Sequence, residues 1–512
     1  MRRSCTRWTS TALASRLAAR RIGATMVRIA FSISASRTKT IASPRCAAAG
    51  KAGAISASDN VVTARIEVTM RPGKLITPRL FHEARDRRAP RQRAVAALAA
   101  GVAVLAACGP KVEKGQPGFV EGFFGAVVAD EPLAAEAGRD ILAAGGTAAD
   151  AAVAMYFALS ATLPSGASLG AGGVCLVHNA KTHKAEAIIF PSTPAGPATK
   201  GFDVATPTAV RGMTLLHVRH GQARWEALVA PGERIARDGA SVSRALARDL
   251  QAGVAQIGLD PAARRIYEKG GGTAIGEGDP FVQRDLGSSL GSIRARGGVD
   301  FFQGQFARQL VDSVQSAGGG LTLQNLREAV ASVVEPIQVP VGDHTAYFAP
   351  APFAGSATQA AFTGQGGAGG GAYAGGEAGF AALDRNANAV ACTVGMGQLF
   401  GARKVAPGTG IMMGAPGGGG NALIGPMLIA NRNTGDSMLV GVASGGPGAT
   451  AALGTVARQV MREGMPLPSA LSAVSGAQVG MVACPRGVRE NRTLCQLGVD
   501  PRSYGLALTS AR

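Results

Sequence analysis

Two glycine-rich stretches hold the residues of this chain best suited to chemistry. In the first, residues 364–413, a run of glycine and alanine (G-Q-G-G-A-G-G-G-A-Y-A-G-G) leads to Glu377 and then to A-G-F-A-A-L-D-R-N-A-N-A-V-A-C-T-V. The second is Ser444-Gly445-Gly446-Pro447-Gly448. Its glycines let the backbone approach a ligand closely; the alternative is a tight turn feeding a helix. The hydroxyls nearest the first stretch belong to Thr363, Tyr373 and Thr393. Six histidines are scattered, and the seven cysteines (5, 46, 108, 175, 392, 484 and 495) show no ligand spacing. No metal site and no cofactor are therefore expected.

Several elements must position these residues. Residues 124–129 read as a buried strand. Residues 131–144 have apolar positions at helical spacing and end at Gly145-Gly146; residues 147–163 are almost wholly apolar and read as a buried helix. Around Asp384-Arg385-Asn386-Ala387-Asn388, a turn of residues that tolerate left-handed backbone, the chain reads as strand, turn, strand from Phe380. The run 364–376 is costly to order and offers little apolar area, so it reads as a flexible surface loop. A helix is expected over 455–463. The mixture is α/β.

These blocks resemble, in order, the gamma-glutamyltransferase (glutathione hydrolase) family. The resemblance rests on P-L-A-A-E-A-G-R-D-I-L-A-A-G-G-T-A-A-D-A-A-V-A, on P-S-G-A-S-L-G-A-G-G-V-C-L-V-H-N, and on the hairpin followed by F-G and A-P-G-T-G-I. It spans residues 124–490 and implies an N-terminal-nucleophile hydrolase-like four-layer αββα sandwich. It divides the body into a large-subunit-like part (124–363), the flexible loop (364–376) and a small-subunit-like part (377–512). It implies acyl transfer from, or hydrolysis of, glutathione and related gamma-glutamyl peptides. In that family the precursor cuts itself before a threonine, which becomes the nucleophile seven residues ahead of the hairpin aspartate. That position is Glu377 here. A carboxylate cannot make the acyl shift that drives such a cut. The family's oxyanion donors correspond to Gly445 and Gly446, although the order of Pro and Gly differs, which puts one donor at risk. Its substrate-binding positions correspond to Phe190, Ser192, Gly397, Ala422 and Leu423, with its acidic pair falling among Gly417, Gly418 and Gly419. None of these offers the fixed charges that an amino-acid head group needs. Two readings follow: an active gamma-glutamyltransferase, or an uncleaved, inactive envelope protein that binds a ligand or partner.

The formal net charge of +19 belongs to the leader: residues 1–107 carry 20 basic and 4 acidic residues, and the remainder is only +3. Nucleic acid is therefore not an expected partner. Residues 1–93 read as a basic, disordered leader or an over-extended start. Arginines at 85, 87, 88, 91 and 93 precede an apolar run, and residues 94–108 end in Leu105-Ala106-Ala107-Cys108. This looks like a bacterial lipobox, with Cys108 lipidated, a linker over 109–123, and the protein held in the periplasm only by its lipid. A plain cleaved signal is the alternative. Cys484 and Cys495 either pair or remain free thiols.

Overall fold

The computed structural model describes residues 125–198, 202–367, 372–416 and 421–510. The leader, Cys108, the linker, residues 368–371 and Gly417, Gly418 and Gly419 lie outside that description. So does the side chain of Ala422.

The first strand, β1 (Gly125–Ala129), is buried throughout. Helices α1 (Pro132–Ala143) and α2 (Ala148–Thr162) follow. The Glu131 carboxylate caps α1 by accepting from the Ala134 N–H, and Pro132 fits the first turn, where no N–H is needed. Thr147 and Asp150 form a reciprocal capping box on α2, satisfying donors that the helix cannot. All 15 residues of α2 are buried, as a helix apolar on every side requires. Next come the hairpin β2 (Gly172–Asn179) and β3 (Lys184–Phe190), then α3 (Ala209–His220), α4 (Trp225–Asp238), α5 (Arg244–Ile257) and α6 (Arg284–Arg296). Strands β4 (Ser332–Val334), β5 (Ile337–Val341) and β6 (His344–Phe348) lead to α7 (Gly355–Thr363). Beyond the glycine run are β7 (Glu377–Asp384), β8 (Ala389–Gly395), β9 (Met427–Asn431), β10 (Ser437–Ser444) and α8 (Ala449–Met461). Strands β11 (Gln478–Ala483), β12 (Gln496–Val499) and β13 (Leu506–Thr509) complete the main framework.

Two sheets result, in the orders β4-β3-β2-β8-β7-β1-β13 and β5-β6-β9-β10-β11-β12. Alternation along each strand sorts side chains into layers. Val127, Ala129, Ala378, Phe380 and Ala382 join the core beneath α1 and α2. Ala126, Val128, Ala381 and Leu383 instead face Val440, Val442 and Val482 of the second sheet. The far side of that sheet packs Phe348, Met427 and Leu439 against Phe362 and Leu453 from α7 and α8. The expected αββα sandwich is the fold. The two sheets approach closely at Gly379, where a Cβ would lie 2.9 Å from Val442 side-chain carbons.

Three local expectations need correction. The hairpin strand starts at Glu377, not Phe380, and it ladders onto β8 from the Glu377–Gly395 pair onward. The run 364–376 is not a free surface loop over its whole length. Gly375 and Gly376 are buried, and the Met396 N–H donates to the Gly376 carbonyl at 2.8 Å. Helix α8 begins at Ala449, six residues before the expected start. Its small residues pack a close helix–helix contact, since a Cβ on Gly454 would lie 2.2 Å from the Thr358 carbonyl.

Candidate active site

Strand alternation decides where Glu377 points. Residues 378, 380 and 382 face the helices, so 377, 379, 381 and 383 face the second sheet. Glu377 is the first residue of β7 and only 2 % exposed. Opposite it, β10 ends at Ser444 and runs into Gly445 and Gly446, at φ +109° and +113°. The Gly445 N–H donates to the Glu377 carboxyl at 3.2 Å. Both glycine N–H groups favour the charged carboxylate, but burial outweighs them and lifts the Glu377 pKa to about 8, with Asp130 and Asp249 adding to the rise. With its pKa lifted to about 8 the side chain is held mainly as the neutral acid at neutral pH, on the Gly445 N–H, and its Oε1 has no protein partner. Pro447 follows the two glycines, so the changed order of Pro and Gly costs neither N–H.

A second acid holds this arrangement in place. Asp130, just past β1, accepts from the Gly379 N–H at 2.7 Å and from the Ser444 hydroxyl at 2.6 Å. One carboxylate thus ties the start of β7 to the end of β10. Burial raises its pKa to about 6, against the pull of those two donors and of Arg248. A third acid, Asp249 on α5, accepts from the Ser165 hydroxyl at 2.6 Å and pairs with Arg248 at 2.9 Å. Burial raises its pKa as well.

The Arg248 guanidinium lies 3.6 Å from the centre of the Tyr373 ring and also donates to the Tyr373 hydroxyl. Tyr373 in turn covers Gly445, where a Cβ would lie 2.8 Å from the ring, and the Ala374 N–H donates to the Gly445 carbonyl at 2.9 Å. Residues 373–376 therefore pass directly over the glycine pair. On the other side a Cβ at Gly166 would lie 2.4 Å from the Glu377 carbonyl, so backbone packs tightly there too.

None of the expected substrate-binding positions carries a charged side chain. Phe190 is fully buried beneath α3, where a Cβ at Gly212 would strike its ring at 2.2 Å. Ser192 lies by Gly172, in the sheet beside β8. Gly397, at φ +86°, sits next to Ala415. Leu423 is half-buried in a short helical turn that also contains Ala422. Thr393 is on β8 with its main chain in the ladder, as expected, and its buried hydroxyl has no protein partner. Thr363 ends α7, away from the hairpin in sequence, and donates to the Ala360 carbonyl.

Sequence reasoning missed Asp130, Arg248 and Asp249. An acid directly after an all-apolar strand was the available signal for Asp130, because such a residue must enter the core edge. Nothing local marked Arg248 and Asp249, which reach the site only through the packing of α5. The pairing Cys175–Cys392 was also missed; these two residues lie opposite each other on β2 and β8 and form a disulfide. Cys484 and Cys495 pair as well, resolving the two alternatives. Among the described residues, no cluster of three or more His, Cys, Asp or Glu could hold a metal ion.

Comparison with known proteins places this geometry in context. A family model described as gamma-glutamyltranspeptidase matches residues 134–364. The glutathione hydrolase proenzyme of Escherichia coli is 31% identical over 291 residues, 52% of this chain and 50% of that one. That of Bacillus subtilis is 31% identical over 244 residues, 44% of this chain and 40% of the relative. The chain therefore matches half or less of the length of these relatives. In fold it is similar to a cephalosporin acylase from Bacillus halodurans, with a TM-score of 0.64 at 19% identity over 78% of this chain and 99% of that one.

Proposed function

This chain belongs to the gamma-glutamyltranspeptidase family, and from that premise we propose that it is an uncleaved member whose acyl-transfer site is closed by its own Glu377 side chain. The observation that carries this reading is the Gly445 N–H on the Glu377 carboxyl. An acyl-transfer oxyanion needs free, fixed donors at the point where charge develops. Here a side-chain carboxyl already occupies the Gly445 donor. The same residue removes the nucleophile: attack by a carboxyl on the preceding carbonyl would give an anhydride, less stable than the starting amide. Without a cut there is no new α-amine to act as base.

The role left to the site is binding without turnover, for which gamma-glutamyl peptides such as glutathione are the substrate class carried by the family. A second reading, turnover of those compounds, is favoured by the preserved frame: the Gly445 N–H still points at residue 377, and Asp130 still ties its strand to β7. We place the protein outside the cytoplasm, lipid-anchored through Cys108. Two disulfides in the body agree with an oxidising compartment.

The test is paired. The full chain and Glu377→Thr are each assayed with gamma-glutamyl-p-nitroanilide and examined by mass spectrometry. The expected result is no new N-terminus at residue 377 and no turnover in the unmutated protein, with scission gained in Glu377→Thr. A fragment beginning at Glu377 in the unmutated protein, or turnover by it, overturns the proposal.

A further inference from the structure

The halves of the chain on either side of residues 364–376 do not sit side by side. Strands β7 and β8, from the second half, are inserted between β2 and β1, from the first. The halves therefore meet along four ladders, β2–β8, β1–β7, β1–β13 and β6–β9. At the middle of the β2–β8 ladder Cys392 lies directly opposite Cys175, and the two are bonded. Both are fully buried, on the face that packs against the helices. The other pair, Cys484–Cys495, lies wholly within the second half and links nothing across this seam.

We propose that Cys175–Cys392 is a covalent staple between the two halves, so that a break anywhere in residues 364–376 leaves one molecule rather than two. The inference is independent of whether residue 377 is active, because it concerns what holds β8 in the sheet and not what the site does. Its formation is a two-electron oxidation. The thiols of Cys175 and Cys392 lose two protons and two electrons, one S–S bond forms, and a disulfide of an exchange oxidant is reduced to two thiols in return. The class of partner required is thus a thiol–disulfide oxidant acting before or during closure of the sheet, since neither sulfur is accessible afterwards. The staple also fixes the register of the hairpin that carries Glu377. A one-residue slip would move Cys392 to the opposite face from Cys175.

The experiment uses the full chain with a site-specific protease sequence inserted between Gly364 and Gly367, all exposed residues. After complete cutting, a denaturing gel without reductant is expected to show a single species of the uncut mass. Adding dithiothreitol should resolve two fragments. In Cys392→Ser, two fragments should appear without reductant. Should that variant fail to fold, alkylation of the denatured, unreduced wild type serves instead, and peptide mapping should recover residues 175 and 392 in one linked, unlabelled peptide. Separation of the cut wild type without reductant, or alkylation of Cys175 and Cys392, refutes the staple. A fragment starting at residue 377 would overturn the preceding proposal and leave this one standing.

Discussion

Replacing Glu377 with glutamine keeps the side chain's shape and an oxygen for the Gly445 N–H, but removes the titration. In the folded protein burial lifts this carboxyl from an ordinary 4.5 to about 8. A raised carboxyl pKa means that the folded state binds the proton more tightly than the unfolded chain. Stability from this group is therefore unaffected below pH 4.5, falls as pH rises between 4.5 and 8, and is fully lost above 8. At 1.36 kcal/mol per unit, the whole span costs the wild type about 5 kcal/mol, an upper figure because structural relaxation and water entry soften it. For a body of this size, with an unfolding entropy of roughly 2 cal/mol/K per residue, that corresponds to a fall of roughly 6 °C in melting temperature. Asp130 and Glu131, also raised by burial to about 6 and about 7, add slopes of the same sign, but they are present in both proteins. The informative quantity is thus the difference between wild type and Glu377→Gln. Thermal melts at pH 5 and pH 9 should show the two proteins nearly level at pH 5 and the variant more stable at pH 9. Parallel pH profiles would refute the claim that Glu377 is seated as a neutral acid.

Gly445→Ala should destabilise the protein by about 2 kcal/mol or more. The backbone is held at φ +109° and the new methyl would meet the Tyr373 ring; an unchanged melting temperature would contradict this packing. Cys108→Ala should release the exported protein from the membrane fraction; unchanged fractionation would refute lipidation at that residue.

Much of the framework was legible because it depends on local pattern. The unbroken apolar run of α2, the buried strand β1, and the turn around Asp384 follow from spacing and residue type. Asp384 accepts from the Asn386 and Asn388 N–H groups, as a turn of this composition should. Boundaries failed where small residues mattered for what they touch. The helix expected from residue 455 begins at Ala449, and its Gly454 packs closely on α7. The run 364–376 read as unstructured, yet Tyr373 to Gly376 are held by Arg248, Gly445 and Met396.

The sequence by itself determined the chemistry available at residue 377: a carboxyl cannot do the work of a hydroxyl, whatever surrounds it. It also determined which strands could form and which of their residues share a face. Only the tertiary structure decided that this carboxyl is seated on the Gly445 donor. It also decided that Asp130, Asp249 and Arg248 surround it, and that Cys175 meets Cys392. The physical reason is separation along the chain. Glu377 lies 68 residues from Gly445, Asp130 lies 249 from Gly379, and Cys175 lies 217 from Cys392. Such pairs are brought together by sheet order and inter-sheet packing, and no local periodicity encodes either one.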